Sequence, residues 1–267
     1  MKIKTAAIQM TSIADKAANL KKSEGLLLKA VKDGASLIAL PENFSFMGSD
    51  EEKLAEAESI ENGTSVLFLK DFAQENRVWL LGGSIAMHAG EGKVYNSSLL
   101  INDNGDITAR YDKIHLFDVN IRGGESHMES RVVKRGKSPV CADTPFGRAG
   151  LSVCYDLRFP ELYRRLVNEG ARLLFAPAAF TYKTGLAHWE VLLRARAIEN
   201  QCYLVAPAQT GMHSDTRRTY GNSMIIDPWG KVLARAGEEE SVIFAEIDSS
   251  YTDEIREGIP CLRHRIL

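Results

Sequence analysis

Short apolar runs alternate with longer segments of helical period along most of this chain. Thr5-Ala6-Ala7-Ile8-Gln9 reads as a strand, and residues 16–32 follow with Leu20, Leu27, Leu28 and Val31 at helical spacing. Ser36-Leu37-Ile38-Ala39-Leu40 is the next apolar run, ended by Pro41. Thr64 or Ser65 stands where a cap would start a helix carrying Val66, Leu69 and Phe72, and Trp79–Ile85 reads as one further strand. The run Ala149–Val153 reads as a buried strand, followed by a helix near 160–169, a strand over 172–176, a helix near 188–200 and a strand over 202–206. Beyond these, Ser223–Ile226 and Lys231–Ala234 form a hairpin through the turn Asp227-Pro228-Trp229-Gly230. The pattern predicts an α/β fold, richer in hairpins towards its end and without a sequence repeat.

Composition narrows this further. The chain has 267 residues, of which 45% are hydrophobic and 25% charged, and no linker-like stretch or charge run divides it, so a single domain over 1–267 is expected. Its formal net charge is -2 with interspersed signs, which gives no footprint for nucleic acid or anionic lipid. Met1-Lys2-Ile3-Lys4 runs straight into a strand-like segment, unlike a signal peptide, and no apolar run reaches the ~20 residues of a membrane span. Four scattered cysteines form neither a disulfide framework nor a CxxC pair, and the six histidines show no metal-ligand spacing. The expectation is a cytoplasmic protein without a metal, nucleotide or other cofactor.

Candidate chemistry centres on Cys154. It ends an apolar strand and precedes Tyr155-Asp156-Leu157-Arg158-Phe159-Pro160-Glu161, where Pro160 and Glu161 suit a helix's first turn. A thiol on such a turn is presented at the sheet edge, where backbone N–H groups favour thiolate. Taken alone, it reads rather as a small buried hydrophobe, the usual fate of a free cysteine. Two other residues follow apolar strands in the same manner: Glu42 after Leu37–Pro41, and Lys113 after Ile107–Asp112. Carboxyl ends of strands are where α/β sheets collect ligand sites. Each charge alone reads as a solvated loop residue. Together the three supply a nucleophile, a proton acceptor and a fixed cation, the kit for acyl transfer through a thioester.

Leu40-Pro41-Glu42-Asn43, Asp112-Lys113-Ile114-His115-Leu116-Phe117-Asp118 and Val153-Cys154-Tyr155-Asp156-Leu157-Arg158-Phe159-Pro160-Glu161-Leu162 resemble the three signature blocks of the nitrilase, or carbon–nitrogen hydrolase, superfamily. Ala187–Asn200, Gly221–Met224 and Asp227–Gly230 are similar to later blocks, in family order over nearly the whole chain. These later blocks most resemble the branch of amidases for deaminated glutathione, with ω-amidases as neighbours. The resemblance implies a four-layer α-β-β-α sandwich, usually a homodimer through the helices near 160–169 and 188–200. It implies Glu42 as general base, Lys113 as oxyanion stabiliser, Cys154 as nucleophile and Glu129 as a second carboxylate that positions Lys113 or the hydrolytic water. Tyr155, Arg158 and Phe180 are its substrate-binding candidates. The loop 120–137 departs most from the family pattern, with Arg135-Gly136 where Pro-Gly is common.

The implied reaction is hydrolysis of a non-peptide C–N bond in a small carboxylated amide, releasing ammonia and an acid. A nitrilase or N-carbamoyl hydrolase would use the same residues. A papain-like pairing of Cys154 with His115, His127 or His188 lacks the surrounding signature. His115 reads instead as a loop anchor, and His188 as an N-terminal helix residue. A silent binding or scaffold protein is the alternative of another class. Arg158 has two readings, an ion pair with Asp156 or Glu161, or a clamp for a substrate carboxylate. Tyr182 and Trp189 read as packing.

Overall fold

The computed structural model describes residues 2–120 and 126–266. Its elements run β1 (Lys2–Gln9), α1 (Lys16–Lys32), β2 (Leu37–Ala39), α2 (Asp50–Ala55), α3 (Thr64–Asn76), β3 (Trp79–Leu81), β4 (Ile85–Gly90), β5 (Lys93–Ile101), β6 (Ile107–Asp112), β7 (Asp118–Asn120) and β8 (Ser126–Met128). They continue with β9 (Val140–Thr144), β10 (Gly147–Leu151), α4 (Pro160–Asn168), β11 (Leu173–Phe175), α5 (Tyr182–Asn200), β12 (Tyr203–Ala206), β13 (Thr210–Met212), β14 (Arg218–Tyr220), β15 (Met224–Ile226), β16 (Val232–Arg235), β17 (Ser241–Asp248) and α6 (Ser249–Gly258).

Two large sheets result. One has the order β17-β1-β2-β3-β5-β4, with β6 also on β5; the other has the order β16-β15-β12-β11-β10-β9. The period-2 alternation of apolar residues assigns each face of the first sheet. Ile3 and Ala7, Leu37 and Ala39, and Trp79 and Leu81 join the core that contains the second sheet. Their neighbours Ala6, Ile8, Ile38 and Leu80 pack with Leu27 and Ala30 of α1 and Val66, Leu69 and Phe72 of α3. Beyond the second sheet, α4 contributes Leu162 and Leu166, and α5 contributes Trp189, Leu193 and Ala197. The layers are therefore helix, sheet, sheet, helix, the expected α-β-β-α sandwich. A one-residue slip of β1 on β2 would exchange these two faces, so burial fixes the register.

The parallel trios β1-β2-β3 and β10-β11-β12 send their carboxyl ends to one rim. Chain crowding sets the path there. A Cβ on Gly83, whose φ is 49°, would lie 2.0 Å from the carbonyl of Pro41, and one on Gly136 would lie 1.9 Å from that of Asp112. The residues so pressed immediately precede Glu42 and Lys113. Gly136 also donates its N–H to the Lys113 carbonyl at 2.9 Å. Arg135 thus replaces a residue whose identity matters less than the glycine after it.

Several expectations are corrected. The strand expected over 79–85 is two strands, because Gly82-Gly83 turns the chain between them. The helix expected near 188–200 begins at Tyr182, and His188 is therefore inside α5 rather than at its N-terminus. In α1, Leu28 is turned to solvent, while Asn19 and Ser23 are buried with Leu27 and Ala30. Neither Thr64 nor Ser65 caps α3. Gly63 occupies the cap position, and the buried Glu58 carboxylate accepts from the N–H of Ser65 at 2.9 Å and of Val66 at 3.3 Å. It also receives the Ser65 hydroxyl at 2.6 Å and the Lys16 ammonium at 2.9 Å. A carboxylate at a helix N-terminus complements the dipole and the orphan N–H groups at once.

Glu58→Ala removes that cap and leaves the half-sheltered Lys16 without one of its two carboxylates. A loss of about 2 kcal/mol is expected, a fall of roughly 4–8 °C in melting temperature for a chain of this size. Thermal unfolding followed by circular dichroism reads it, and an unchanged midpoint would rule out Glu58 as the cap.

Candidate active site

Glu42, three residues past β2, is 3% exposed, and Lys113, one past β6, is 2% exposed. Burial of a single charge is costly, so their partners decide whether the arrangement stands. The Lys113 ammonium lies 3.1 Å from Glu42 Oε1 and 3.1 and 2.9 Å from the two oxygens of Glu129. Asn96 of β5 donates its side-chain amide to Glu42 at 2.9 Å and to Glu129 at 3.3 Å, and so bridges the two carboxylates. The second Glu42 oxygen accepts from the Ala179 N–H at 2.9 Å, and Glu129 accepts from the Phe117 N–H at 2.7 Å. The reading of Glu42 and Lys113 as solvated loop charges is overturned: they are a buried, hydrogen-bonded cluster.

Burial works against the Lys113 ammonium, but Glu129 and then Glu42 outweigh it and hold the group well above its ordinary value. Burial likewise opposes the Glu129 carboxylate, yet Lys113, then Lys53, keep it below the usual range. Cys154 has the opposite balance. Burial and then the Glu42 charge push its thiol well above the ordinary cysteine value, against the pull of Lys113. The pull of the turn's backbone towards thiolate is thus outweighed by the nearby carboxylate and desolvation.

Cys154 is held with φ at 51°, a left-handed conformation rare for a residue with a Cβ. Its N–H donates to the Pro177 carbonyl at 2.9 Å, and a 3-10 turn over Cys154–Arg158 separates it from α4. Asp156, fully buried within that turn, receives the Val153 N–H at 2.9 Å and the Tyr111 hydroxyl at 2.7 Å. Its other oxygen accepts from the His115 N–H at 3.0 Å and lies 2.7 Å from His115 Nδ1. Asp156 therefore ties the turn that bears Cys154 to the segment that carries Lys113. His115 is the loop anchor expected of it, and its ring stacks on Phe159 at 3.7 Å.

All seven candidate residues, Glu42, Lys113, Glu129, Cys154, Tyr155, Arg158 and Phe180, line one cavity of about 490 Å³. Arg158 pairs with neither Asp156 nor Glu161. Its guanidinium lies 5.3 Å from the Phe180 ring and 5.7 Å from the Tyr155 ring, with Nη1 3.2 Å from His188 Nδ1. It is thus braced by two aromatic rings and His188, lines the cavity, and forms no ion pair among the described residues. Trp189 packs as expected and donates its indole N–H to the Asn222 carbonyl at 2.8 Å. Tyr182 is less inert, since the Arg218 guanidinium lies 3.8 Å above its ring.

Sequence reading missed Asn96, the Ala179 N–H, Lys53 and Arg217. Lys53 and Arg217 also line the cavity. No spacing rule marks any of them. The one available signal was positional, because Ala179 follows β11 as Cys154 follows β10.

The chain matches the carbon-nitrogen hydrolase family over residues 4–257. It is 50% identical to the deaminated glutathione amidase of Synechocystis over 265 residues, covering 98% of this chain and 97% of that protein. The human protein of the same name is 42% identical over 97% of this chain and 81% of its own length. Among solved structures, Caenorhabditis elegans NitFhit superposes with a TM-score of 0.93 at 42% identity, over 99% of this chain and 65% of that one. Saccharomyces cerevisiae Nit3, a member of branch 10 of the nitrilase superfamily, gives a TM-score of 0.88 at 34% identity, over 97% and 94% of the two chains. With a buried Glu-Lys-Cys cluster at one rim of an α-β-β-α sandwich, and with family similarity along nearly its whole length, this chain belongs to the carbon–nitrogen hydrolases of the nitrilase superfamily.

Proposed function

We propose that the chain is an amidase that cleaves a small carboxylated amide through a thioester on Cys154, with deaminated glutathione as first substrate and α-ketoglutaramate as second. The observation that carries this reading is the buried Cys154 sharing one cavity with the Glu42–Lys113 ion pair. Glu42 takes the thiol proton as sulfur attacks the amide carbonyl, so no free thiolate has to exist beforehand. The developing oxyanion is met by Lys113 and by the Tyr155 N–H at the start of the 3-10 turn, where helical N–H groups lack partners within the helix. Glu42 then gives its proton to the leaving nitrogen, and water, deprotonated by the same carboxylate, cleaves the thioester. Glu129 keeps Lys113 in place and charged. The leaving group is ammonia from an ω-amide and an amine from deaminated glutathione, whose scissile bond joins it to a dipeptide. The same similarity supports a homodimer through α5, whose Leu186 and Val191 are exposed. Among the described residues no helix is long and apolar enough to cross a membrane. The four free cysteines support a reducing, cytoplasmic setting.

Cys154→Ala is expected to abolish release of amine or ammonia. Wild-type turnover in Cys154→Ala would end the reading. Lys113→Ala removes a charged oxyanion donor, on the order of 3–4 kcal/mol, and should lower kcat by about a hundredfold to a thousandfold. A tenfold preference for nitriles over amides would place the chain among nitrilases instead.

The pH–rate profile follows from the signs of the shifts. Glu129 lies below its usual value, so its charge, and the stability it gives, are present above the ordinary carboxylate range and lost only as pH falls through the lowered value. Lys113 lies above its usual value, so its contribution is present below the ordinary lysine range and lost as pH rises through the raised value. Between these limits the cluster keeps its charges, and a plateau around neutral pH is expected, with an acid limb where the base is protonated. A rate climbing steadily through about pH 10 would instead report simple thiol ionisation without Glu42.

Arg158 is the cation for the acyl carboxylate. A charge-assisted contact contributes about 1.5–3 kcal/mol, so Arg158→Ala should lower kcat/KM by about tenfold to a hundredfold for the acid and hardly at all for a neutral amide of equal length. Equal losses would show that Arg158 only supports the turn.

A further inference from the structure

Two cations in the cavity take no part in the proposed steps, although one of them, Lys53, helps hold the Glu129 carboxylate below its usual range. Lys53 projects from α2 and Arg217 from the β13–β14 hairpin, and both line the cavity that holds Cys154. Among the described residues, neither side chain makes an ion pair or a hydrogen bond. Two of the three acidic side chains in the first turn of its helix are engaged elsewhere, and the third, Glu51, lines the cavity without pairing with Lys53. Asp50 pairs with Arg131 at 3.0 Å, and Glu52 closes the Ser49 capping box at 2.8 Å. Arg217 is delivered by a fixed support. His213 is buried between the Ser12 carbonyl and the Thr219 hydroxyl, 2.7 Å from each, and its N–H donates to the Arg217 carbonyl at 2.9 Å. Its neighbour Arg218 is turned away onto Tyr182.

The two cations also act on each other. Burial and then the Arg217 charge lower the Lys53 pKa against the pull of Glu129, Glu42 and Asp50. The cavity wall also carries Glu42, Asp50, Glu51 and Glu129, but none of them forms an ion pair with Lys53 or Arg217, and two unpaired cations on one wall offer a place for an anion. Arg158 stands on the segment after β10 and is braced by Tyr155 and Phe180, whereas Lys53 and Arg217 come from α2 and the β13–β14 hairpin.

We propose that Lys53 and Arg217 form a second anion site in the cavity, which receives the carboxylate of the leaving amine and so selects amides of amino acids or short peptides. This rests on the amidase reading above. With Arg158 on the acyl carboxylate, the substrate is a dianion held at both ends, its amide between the poles and over Cys154. A substrate that releases ammonia would leave the second site unused.

The Cys154→Ala protein, which lacks the nucleophile, can be titrated by calorimetry with N-glutaryl-alanylglycine and with its C-terminal carboxamide. The acid is expected to bind about tenfold to a hundredfold more tightly. In a Lys53→Met/Arg217→Gln variant of the same protein the two should bind alike, while Lys53→Arg should restore part of the preference. Equal binding of acid and carboxamide in the parent, a preference that persists in the double variant, equal loss of both ligands there, or no binding of either would each overturn the proposal. Wild-type turnover of the same pair tests the amidase reading separately: no cleavage with the preference intact would sink that reading and leave the anion site standing.

Discussion

The Lys113 ammonium sits between two carboxylates in a place that water hardly reaches, and much of the structure follows from keeping it there. Removing three charges from water costs several kcal/mol for each ion, and mutual attraction offsets this only when geometry is good and the remaining valences are filled. Here they are filled by Asn96, the Ala179 N–H and the Phe117 N–H. Those partners come from β5, from the segment after β11 and from the loop after β6. The cluster thus joins both sheets at one rim, and loss of any member leaves a buried charge unanswered. Such a centre confers placement more than stability, since apolar residues of similar volume would hold the sheets together at less cost.

That placement decides the state of the nucleophile. A buried thiol next to a carboxylate stays protonated, and the carboxylate that raises its pKa is also positioned to remove its proton during attack. The strained left-handed backbone of Cys154 and the Asp156 network serve the same end from the other side. Asp156 links Val153, Tyr111 and His115, so the turn bearing sulfur and the segment bearing Lys113 move as one. Arg158, Lys53 and Arg217 stand outside this cluster, which with two carboxylates and one ammonium is left with one negative charge, and none of the three cations forms an ion pair among the described residues.

The layered fold was legible because apolar alternation and helical spacing are local properties, as in β1, β2 and α1. Elements were misplaced where a distant group replaced a local signal. Glu58 caps α3 from outside its first turn, and Gly82-Gly83 divides what reads as one strand. Cys154, Glu42 and Lys113 could be singled out because each follows an apolar strand, but their meeting depends on two sheets that sequence does not juxtapose. Asn96 and Asp156 look like ordinary polar residues of a strand and a turn, and only contacts across 54 and 41 positions of chain show otherwise. The balance of influences on the Cys154 thiol is hidden from sequence for a related reason. The backbone of the turn was visible in the sequence, whereas the carboxylate that outweighs it comes from a different strand end.

The most direct test of a neutral thiol activated by Glu42 is the ultraviolet thiolate absorbance of the native protein across pH, taken as the difference from Cys154→Ala. The structure requires no thiolate signal from Cys154 at neutral pH, with the signal emerging only above the ordinary cysteine range. A full thiolate signal at neutral pH would contradict it, because Cys154 would then be ionised by Lys113 and the backbone, and Glu42 would have no proton to take.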